Sequence, residues 1–527
     1  MIKIDIALPI GYTASDISAA ITSSLPIGAD EIRDAHLVRR ILDLSDTAAP
    51  RYKCTVAFSA SDEREGGLLK IRNRVKPHEE PIYTPEVKSW DFRPVVVGAG
   101  PAGLFAALTL AESGARPIVL ERGLPVAQRR RKVELYNKLG ILDPECNVQF
   151  GEGGAGTFSD GKLKVGSKDE YKNKIISELI STGATEDRAF SATAHLGTDK
   201  LELIVAKVRE RIISLGGEFI FGARMSALNV KDSALYAVEY IKDGVRESIS
   251  TSAAVIAIGH SARDSVKALY LQGIKMESRP FGVGMRLEHK REYINKIVYR
   301  DAADMIEDSA SYHLVTHLPG GRSVYSFCMC PGGSVVAASS DPQGIVTNGM
   351  SEYSRMAENS NAAILVSVTP DDFGSEHPLA GFEYQKRIEH LAYARSDSPS
   401  APVIRLSDLM EGSAPASLGE VSPSYPCGTH LDSPENYLPS YITESIKAAM
   451  PDFDAWLPGY AYGDAVFTGP ETRTTSPIRM LRDESGAAEG YIGIYPAGEG
   501  AGYAGGIISS AYDGIREADK LIKCYGK

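Results

Sequence analysis

The sequence is poor in cysteine: six cysteines in 527 residues are too few for a fold held together by disulfide bonds. It contains no paired CxxC motifs of the kind that bind zinc, and we expect no metal site. No apolar run approaches the roughly 20 residues of a membrane-spanning helix. Residues 1–11 lack the basic and long apolar regions of a signal peptide. These absences predict a protein of the reducing cytoplasm with no membrane span.

The chain also lacks an excess of basic residues. Its net charge of -11 argues against broad binding to nucleic acids or to anionic membranes. With 43% hydrophobic and 24% charged residues, the composition is that of an ordinary globular protein. The length is enough for about two to four domains, and the sequence shows no internal repeat.

The most informative stretch is a glycine-rich turn between the apolar run Val95–Val97 and a helical segment at residues 104–113. In a GxGxxG turn the first glycine permits the tight bend, the second lets the backbone approach a pyrophosphate, and the third lets the helix pack close to the strand. A second strand, at residues 117–120, ends at an acidic residue in the position that binds a ribose hydroxyl. This context favours a dinucleotide site over an ordinary turn. The predicted binding residues are Gly98, Gly100, Pro101, Ala102, Gly103, Glu121 and Arg122.

A second glycine-rich turn lies near the C-terminus, between an apolar run at residues 491–497 and a helical segment at residues 507–522. The two turns together resemble flavoproteins of the glutathione-reductase type, in which a returning strand closes the FAD site. In those proteins an acid after the strand, usually aspartate rather than the glutamate found here, binds the ribityl chain. The following helix N-terminus would stabilise negative charge on reduced flavin. The implied FAD-binding residues are Gly498, Glu499, Gly505, Gly506 and Ile507.

The predicted fold class is α/β. A glutathione-reductase-type, Rossmann-like FAD-binding domain is interrupted by an α+β substrate domain and preceded by a small α+β module. Three strand-like runs, starting with one at residues 218–230, and a following apolar strand fit the antiparallel meander of such FAD domains. The predicted boundaries are 1–88 for the N-terminal module, 89–280 for the first part of the FAD domain, 281–470 for the substrate domain and 471–527 for the returning segment.

The N-terminal module shows strand-like patterns at residues 2–6 and 52–59, around an amphipathic segment at residues 30–42. A linker with three prolines follows at residues 76–85. Beyond the first glycine-rich turn, the sequence predicts a basic helix over Val126–Leu139.

The segments at residues 147–163, 328–333 and 471–477, together with the C-terminal turn, make the resemblance more specific. The chain resembles a bacterial family of FAD-dependent dehydrogenases, also called NAD(P)/FAD-dependent oxidoreductases, that carry a FAD-dependent protein C-terminal domain. The resemblance covers nearly the whole chain. It implies FAD binding and redox chemistry, but it supplies no established substrate. Because the sequence has no flavin-linking motif, we expect non-covalent FAD.

The loop at residues 151–161 is unusually rich in glycine, which lets backbone N–H groups approach the cofactor. By position in the resembled fold, the polar residues that follow reach the flavin, where a lysine would stabilise its reduced form. A simple surface turn is the alternative interpretation. The candidates in this loop are Gly153, Gly154, Gly156, Ser159, Asp160 and Lys162.

Three further positions are candidates for contact with FAD. Related flavoproteins often set an arginine from the basic helix over the pyrophosphate, which implies Arg129, although most of that basic run would form a solvated face. Met225 would contact the adenine through its backbone or serve as strand core. Gly259 would leave space for the cofactor.

The candidates for catalysis and substrate binding are polar residues outside the two glycine-rich turns. Cys328 and Cys330 lie at positions i and i+2 of a strand-like run, so that their thiols would share one face. Such a pair would serve redox work or packing, with metal binding as a minor alternative. His260 is a candidate acid or base, with helix capping or packing as the alternative. Arg473 and Arg479 would bind an anionic substrate or form an interdomain salt bridge.

The leading functional hypothesis is a FAD-dependent oxidoreductase that transfers hydride or electrons to or from an unidentified small molecule. The absence of a second GxGxxG argues against a dedicated NAD(P)H domain but leaves transient binding of NAD(P)H as reductant open. The alternatives are an electron-transfer module for a protein or quinone partner, an RNA-modifying flavoprotein, and a protein that uses FAD only as a structural ligand. The acidic charge argues against the RNA hypothesis.

Overall fold

The computed structural model describes residues 1–71, 74–158, 169–184 and 196–527. Within these ranges the α-helices are Ala14–Ser24, Asp62–Leu68, Pro101–Glu112, Val126–Leu139, Glu170–Thr182, Thr198–Ser214, Arg263–Leu271, Arg291–Tyr299, Ala380–Tyr393, Leu406–Glu411, Ser440–Trp456 and Ile507–Tyr525. Short 3-10 helices lie at Ala29–Glu31, Ala155–Phe158, Arg300–Met305, Pro370–Asp372 and Pro434–Asn436. Among the helices described, none is both long enough and apolar enough to cross a membrane.

The N-terminal module is an antiparallel sheet packed against the helix Ala14–Ser24. Its strands, in order across the sheet, are Arg33–Asp43, Arg51–Ser59, Ile2–Pro9 and Val75–Pro77. The strands predicted at residues 2–6 and 52–59 are confirmed. The amphipathic segment at residues 30–42 forms mainly the edge strand, and register shifts along that strand disturb its alternation of apolar and polar side chains.

A parallel sheet carries both glycine-rich turns at the carboxyl ends of its strands. In order across the sheet, the strands are Ile494–Pro496, Ala254–Ile256, Val95–Val97, Ile118–Glu121 and Glu218–Phe221. Every neighbouring pair is parallel. One face packs against the helices Pro101–Glu112 and Ile507–Tyr525, so the predicted strand–helix–strand unit and the mixed α/β class are confirmed.

The predicted single run at residues 218–230 is two strands. Gly222 separates them, with a positive φ of 67°, a backbone conformation that glycine adopts without strain. The first strand joins the parallel sheet, and the second begins an antiparallel meander against its other face. The meander strands are Ala223–Lys231, Ala234–Lys242 and Val245–Ser250.

The middle of the chain forms a large, mainly antiparallel sheet. In order across the sheet, its strands are Val315–His317, Ser323–Cys330, Asn359–Val368, Phe281–Lys290, Val466–Glu471, Ala401–Arg405 and Thr429–Leu431. Two short antiparallel pairs flank it: Met276–Ser278 with Ile478–Met480, and Ser334–Ala337 with Thr347–Met350. The large sheet therefore includes Glu471, one residue past the predicted boundary at 470, and the domain boundaries themselves stay a prediction.

The helices Pro101–Glu112 and Ile507–Tyr525 approach each other closely at Gly514, which has no side chain. A Cβ atom placed on Gly514 would lie 2.1 Å from the carbonyl oxygen of Ala102, far inside van der Waals contact. Since Ala102 belongs to the first glycine-rich turn, this crossing sets how closely the C-terminal helix approaches that turn.

We predict that Gly514→Ala destabilises the protein, by about 1–3 kcal/mol, because the added methyl forces the helices apart. An alanine in a helix interior otherwise stabilises relative to glycine. Gly66→Ala is the matched control, since Gly66 also lies in a helix and a Cβ there meets no atom within 4 Å. Denaturant unfolding measures the free energy of unfolding of each variant. Equal stability of the two variants would contradict the close approach of the two helices at Gly514.

Candidate functional site

A cavity of about 480 Å³ opens at the carboxyl ends of the parallel strands, between that sheet and the large sheet. Most of the predicted site residues line it. They are Gly98, Gly100, Pro101, Ala102, Glu121, Arg122, Gly154, Gly156, Met225, Gly259, His260, Cys328, Arg473, Glu499, Gly505, Gly506 and Ile507. Six others do not line it: Gly103, Arg129, Gly153, Cys330, Arg479 and Gly498. Ser159, Asp160 and Lys162 lie outside the described residues.

The glycines of the first turn serve two different purposes. A Cβ atom on Gly98 would lie 2.3 Å from the carbonyl oxygen of Ala257, and one on Gly103 would lie 1.8 Å from that of Gly98. The fold itself therefore requires these two glycines. A Cβ on Gly100 would meet no atom closer than 3.7 Å. Because Gly100 lines the cavity, its missing side chain leaves space for a ligand.

The carboxylate of Glu121 joins three backbone segments at the cavity wall. It is buried, and Oε2 accepts the N–H of Ala99 at 2.8 Å. Oε1 accepts the N–H groups of Gly123 at 2.8 Å and Gly151 at 2.9 Å. A carboxylate has about four lone-pair positions. Three are used by these backbone groups, which leaves one acceptor position on a residue that lines the cavity.

Arg129 lies beneath the glycine-rich loop instead of over the cavity. Its guanidinium is fully buried and donates to the carbonyl oxygens of Asn147 at 2.9 Å, Val148 at 2.8 Å and Glu152 at 2.6 Å. Burial lowers the pKa of Arg129 to about 10, so the group stays charged at neutral pH. The sequence predicted that Arg129 lies over a pyrophosphate. It lies elsewhere because its guanidinium N–H groups already donate to these backbone carbonyls.

Two more glycines hold the backbone around the cavity without lining it. The N–H of Gly153 donates to the carbonyl oxygen of Ala99 at 2.8 Å, which ties the loop to the first turn. The N–H of Gly498 donates to Asp513 Oδ2 at 2.7 Å, which ties the second turn to the C-terminal helix. Both glycines have positive φ, 85° and 76°, where a side chain would strain the backbone.

His260 and Glu499, predicted separately, meet at the cavity wall. His260 Nδ1 lies 3.4 Å from Glu499 Oε1, and both residues are largely buried. The N-terminus of the helix Ile507–Tyr525 lines the same cavity, and the N–H of Gly505 donates to Ser509 Oγ at 3.3 Å. The cavity lining therefore combines an acidic residue, an imidazole and the positive end of a helix dipole.

The two thiols do not share one face. Cys328 has a φ of +42°, and the register of its strand shifts between Phe327 and Cys330. This bulge breaks the alternation on which the prediction depended. Cys328 lines the cavity, whereas Cys330 is fully buried outside it, with Sγ 4.0 Å from Arg286 Nη1.

The two predicted arginines also separate. Arg473 lines the cavity and is buried, with Nη2 2.9 Å from Glu389 Oε2. Arg479 lies away from the cavity, with its guanidinium carbon 5.0 Å from the ring centre of Tyr503. Its nearest carboxylate, on Glu277, is 3.9 Å away, so the ion-pair interpretation fits Arg479 better than substrate binding.

An ion pair that sequence reasoning missed adjoins the cavity. Arg286 is fully buried, binds both carboxylate oxygens of Glu471, and donates to the carbonyl oxygen of Cys328 at 2.8 Å. Burial raises the pKa of the Glu471 carboxyl above its usual range, with the Arg286 charge opposing the shift. Glu471 lines the cavity. The sequence feature that could have revealed this ion pair is the presence of charged residues within the otherwise apolar strand Phe281–Lys290.

Comparison with known proteins identifies the kind of ligand. Residues 280–474 match the family model described as FAD-dependent protein, C-terminal domain-like, and residues 93–128 match a FAD binding domain. A protein of Clostridium beijerinckii described as uncharacterized is 44% identical over 513 residues, 95% of each chain. A FAD-dependent monooxygenase, apdD, of Emericella nidulans is 41% identical over 61 residues, 10% of each chain.

Solved structures with partial similarity include CtdE in complex with FAD, with 12% identity and a TM-score of 0.33 over 82% of this chain and 84% of that one. Another is the 3-ketosteroid-delta4-(5alpha)-dehydrogenase of Rhodococcus jostii RHA1, with 14% identity and a TM-score of 0.32 over 84% and 98%. The long relative and the two family matches show that the chain belongs to the family of FAD-dependent proteins and that FAD is its cofactor.

Proposed function

We propose that this protein is an oxidoreductase that passes electrons, as hydride or singly, between non-covalently bound FAD and a small-molecule substrate. The observation that carries the proposal is that one cavity is lined on one side by both glycine-rich turns and on the other by polar side chains of the large sheet. We further propose that the FAD domain has the glutathione-reductase-type arrangement and that the protein acts in the cytoplasm. The parallel sheet, built from strands near both ends of the chain, supports that arrangement.

The residues of the cavity fit the chemistry of a dinucleotide. Gly100 leaves room for a pyrophosphate beside the N-terminus of the helix Pro101–Glu112, whose dipole favours an anion. The remaining acceptor position of Glu121 suits a ribose hydroxyl. At the other end, the N-terminus of the helix Ile507–Tyr525 suits the part of the cofactor that becomes more negative on reduction. Bound FAD supplies the electron transfer itself.

Arg473 is the proposed anchor for an anionic group on the substrate. Arg473 and the partly buried Arg263 share the single, fully buried carboxylate of Glu389, so this group of three has an excess positive charge. Although burial opposes it, the two guanidinium groups hold the pKa of Glu389 well below its usual range. Glu389 and Ser340 accept from three of the five N–H groups of Arg473. We propose that the other two donate to a carboxylate of a substrate bound in the cavity.

His260 and Cys328 are the proposed reactive side chains. His260, beside Glu499, would donate or accept the proton that accompanies electron transfer. Cys328 would contact the substrate as a single thiol, because the position of Cys330 outside the cavity argues against a relay through both thiols. NAD(P)H is the proposed transient electron donor.

Glu121→Gln should weaken FAD binding about 5- to 150-fold. The amide would turn an N–H donor toward the backbone N–H groups that Glu121 now accepts. This would leave about 1–3 kcal/mol of polar desolvation uncompensated. Fluorescence titration of apoprotein with FAD measures the change. Glu218→Gln makes the same exchange at an exposed residue of the same sheet and should leave the affinity unchanged. Wild-type affinity in Glu121→Gln would contradict the role assigned to this carboxylate.

The purified holoprotein should be yellow, and trichloroacetic acid should release the colour and leave colourless protein. Mixed anaerobically with NADH or NADPH in a stopped-flow instrument, it should lose its flavin absorbance with at least one of them. Colour retained on the precipitated chain would rule out non-covalent binding. Bleaching by a carrier protein alone, without turnover of small molecules, would instead favour an electron-transfer module.

Cys328 should be alkylated by iodoacetamide at least about tenfold faster than Cys330, because reactivity follows access to the thiolate. Peptide mass spectrometry of the native holoprotein at successive times measures each cysteine separately. Cys330 provides the internal control, two residues away and fully buried. Equal rates would show that the bulge does not direct the two thiols to different environments.

A further inference from the structure

We propose that His36, His78 and Glu80 form a binding site for a divalent transition-metal ion of the zinc type. The three residues belong to the N-terminal module and are not among the residues that line the FAD cavity. Their ligand atoms, one from each side chain, all lie within 4.8 Å of one another. The proposal is independent of the reaction proposed for the cavity.

The site joins the two edges of the N-terminal sheet. His36 lies on the edge strand Arg33–Asp43, whereas His78 and Glu80 directly follow the opposite edge strand, Val75–Pro77. The N–H of His78 donates to the carbonyl oxygen of Met1 at 3.1 Å, which fixes the start of the linker against the sheet. The ligands thus come from two segments far apart in sequence, which is why the search for paired motifs predicted no metal.

The distances approach those of a metal centre. His36 Nε2 lies 3.4 Å from Glu80 Oε2, and His78 Nε2 lies 2.6 Å from Glu80 Oε1. Ligands bound tetrahedrally at 2.0–2.1 Å are about 3.3 Å apart. The pair from His36 already has this separation. The pair from His78 involves the other oxygen of the same carboxylate, so the carboxylate must turn, and this distance needs an increase of less than about 1 Å.

The orientation of His36 supports a cation. Its Nδ1 lies 2.9 Å from the carbonyl oxygen of Asp34. A carbonyl oxygen only accepts, so Nδ1 carries a proton, and in the neutral imidazole Nε2 then presents its lone pair toward the Glu80 carboxylate. Two electron-rich atoms facing each other are stabilised by a positive charge between them. A backbone carbonyl that holds the second nitrogen is also the usual outer partner of a metal-binding histidine.

The composition of the site selects the ion. Two imidazoles and one carboxylate form a ligand set that zinc takes in proteins, with solvent completing the shell. All-oxygen sites would suit calcium or magnesium instead. Without a metal, the same geometry would be an ion pair between protonated histidine and Glu80, and this is the alternative that the experiment has to exclude.

The experiment uses the full-length holoprotein, treated with a chelator, dialysed, and titrated with Zn²⁺ alone by calorimetry. We expect about one zinc ion per chain, and binding at least about tenfold weaker in both His36→Ala and His78→Ala. Co²⁺ should give the visible absorption of a low-coordinate site in the wild type but not in His36→Ala or His78→Ala. His317→Ala, at an exposed histidine of the large sheet, is the matched control and should bind zinc as the wild type does.

Folding of each variant is checked by its flavin absorbance and circular dichroism. Glu80→Gln serves as a second test, because it keeps the shape of the side chain and should also weaken zinc binding. In the wild type, zinc should raise the unfolding temperature, and this rise should be absent from the three site variants. No zinc binding by the wild type, or equal binding by wild type and all variants, would overturn the proposal in favour of the simple ion pair.

Discussion

Three backbone N–H groups converge on the carboxylate of Glu121, and the geometry of the cavity at the ends of the parallel strands depends on this contact. It brings together the first glycine-rich turn, the end of a parallel strand and the loop that begins at Gly151. Arg129 binds the carbonyl oxygen of Glu152 in the same loop, and those of Asn147 and Val148 just before it. The start of the loop is thus bound by two buried charges of opposite sign, through the N–H of Gly151 and the carbonyl of Glu152.

This arrangement shows why local patterns predicted the fold better than the site. Gly98 and Gly103 are required by close contacts with backbone carbonyls of the same turn or of the neighbouring strand. The spacing of these glycines in the sequence was therefore enough to predict the turn. The position of Arg129 depended on where a loop some twenty residues later would present its carbonyls, which no spacing reveals. Likewise, the strict alternation expected for Cys328 and Cys330 ended at a bulge that the sequence does not mark.

Charged residues inside the large sheet have a comparable organising role. A buried ion pair such as Arg286 with Glu471 gains little stability over apolar packing, because both groups lose their hydration. Here the pair also binds the carbonyl oxygen of Cys328, whose backbone has an unfavourable left-handed conformation. The interaction therefore specifies one backbone conformation at the cavity wall, and charged residues within the strand Phe281–Lys290 were the sequence feature that could have revealed it.

The order of strands in the parallel sheet has a consequence for synthesis. The strand Ile494–Pro496 and the helix Ile507–Tyr525 complete a layer whose other members are made hundreds of residues earlier. During translation the N-terminal module can fold first. The cavity, in contrast, lacks one wall until the chain has been synthesised past the C-terminal helix. If FAD binds in this cavity as proposed, its capture would be coupled to completion of the polypeptide, and a ribosome that stops early would release a chain without the last wall of the site.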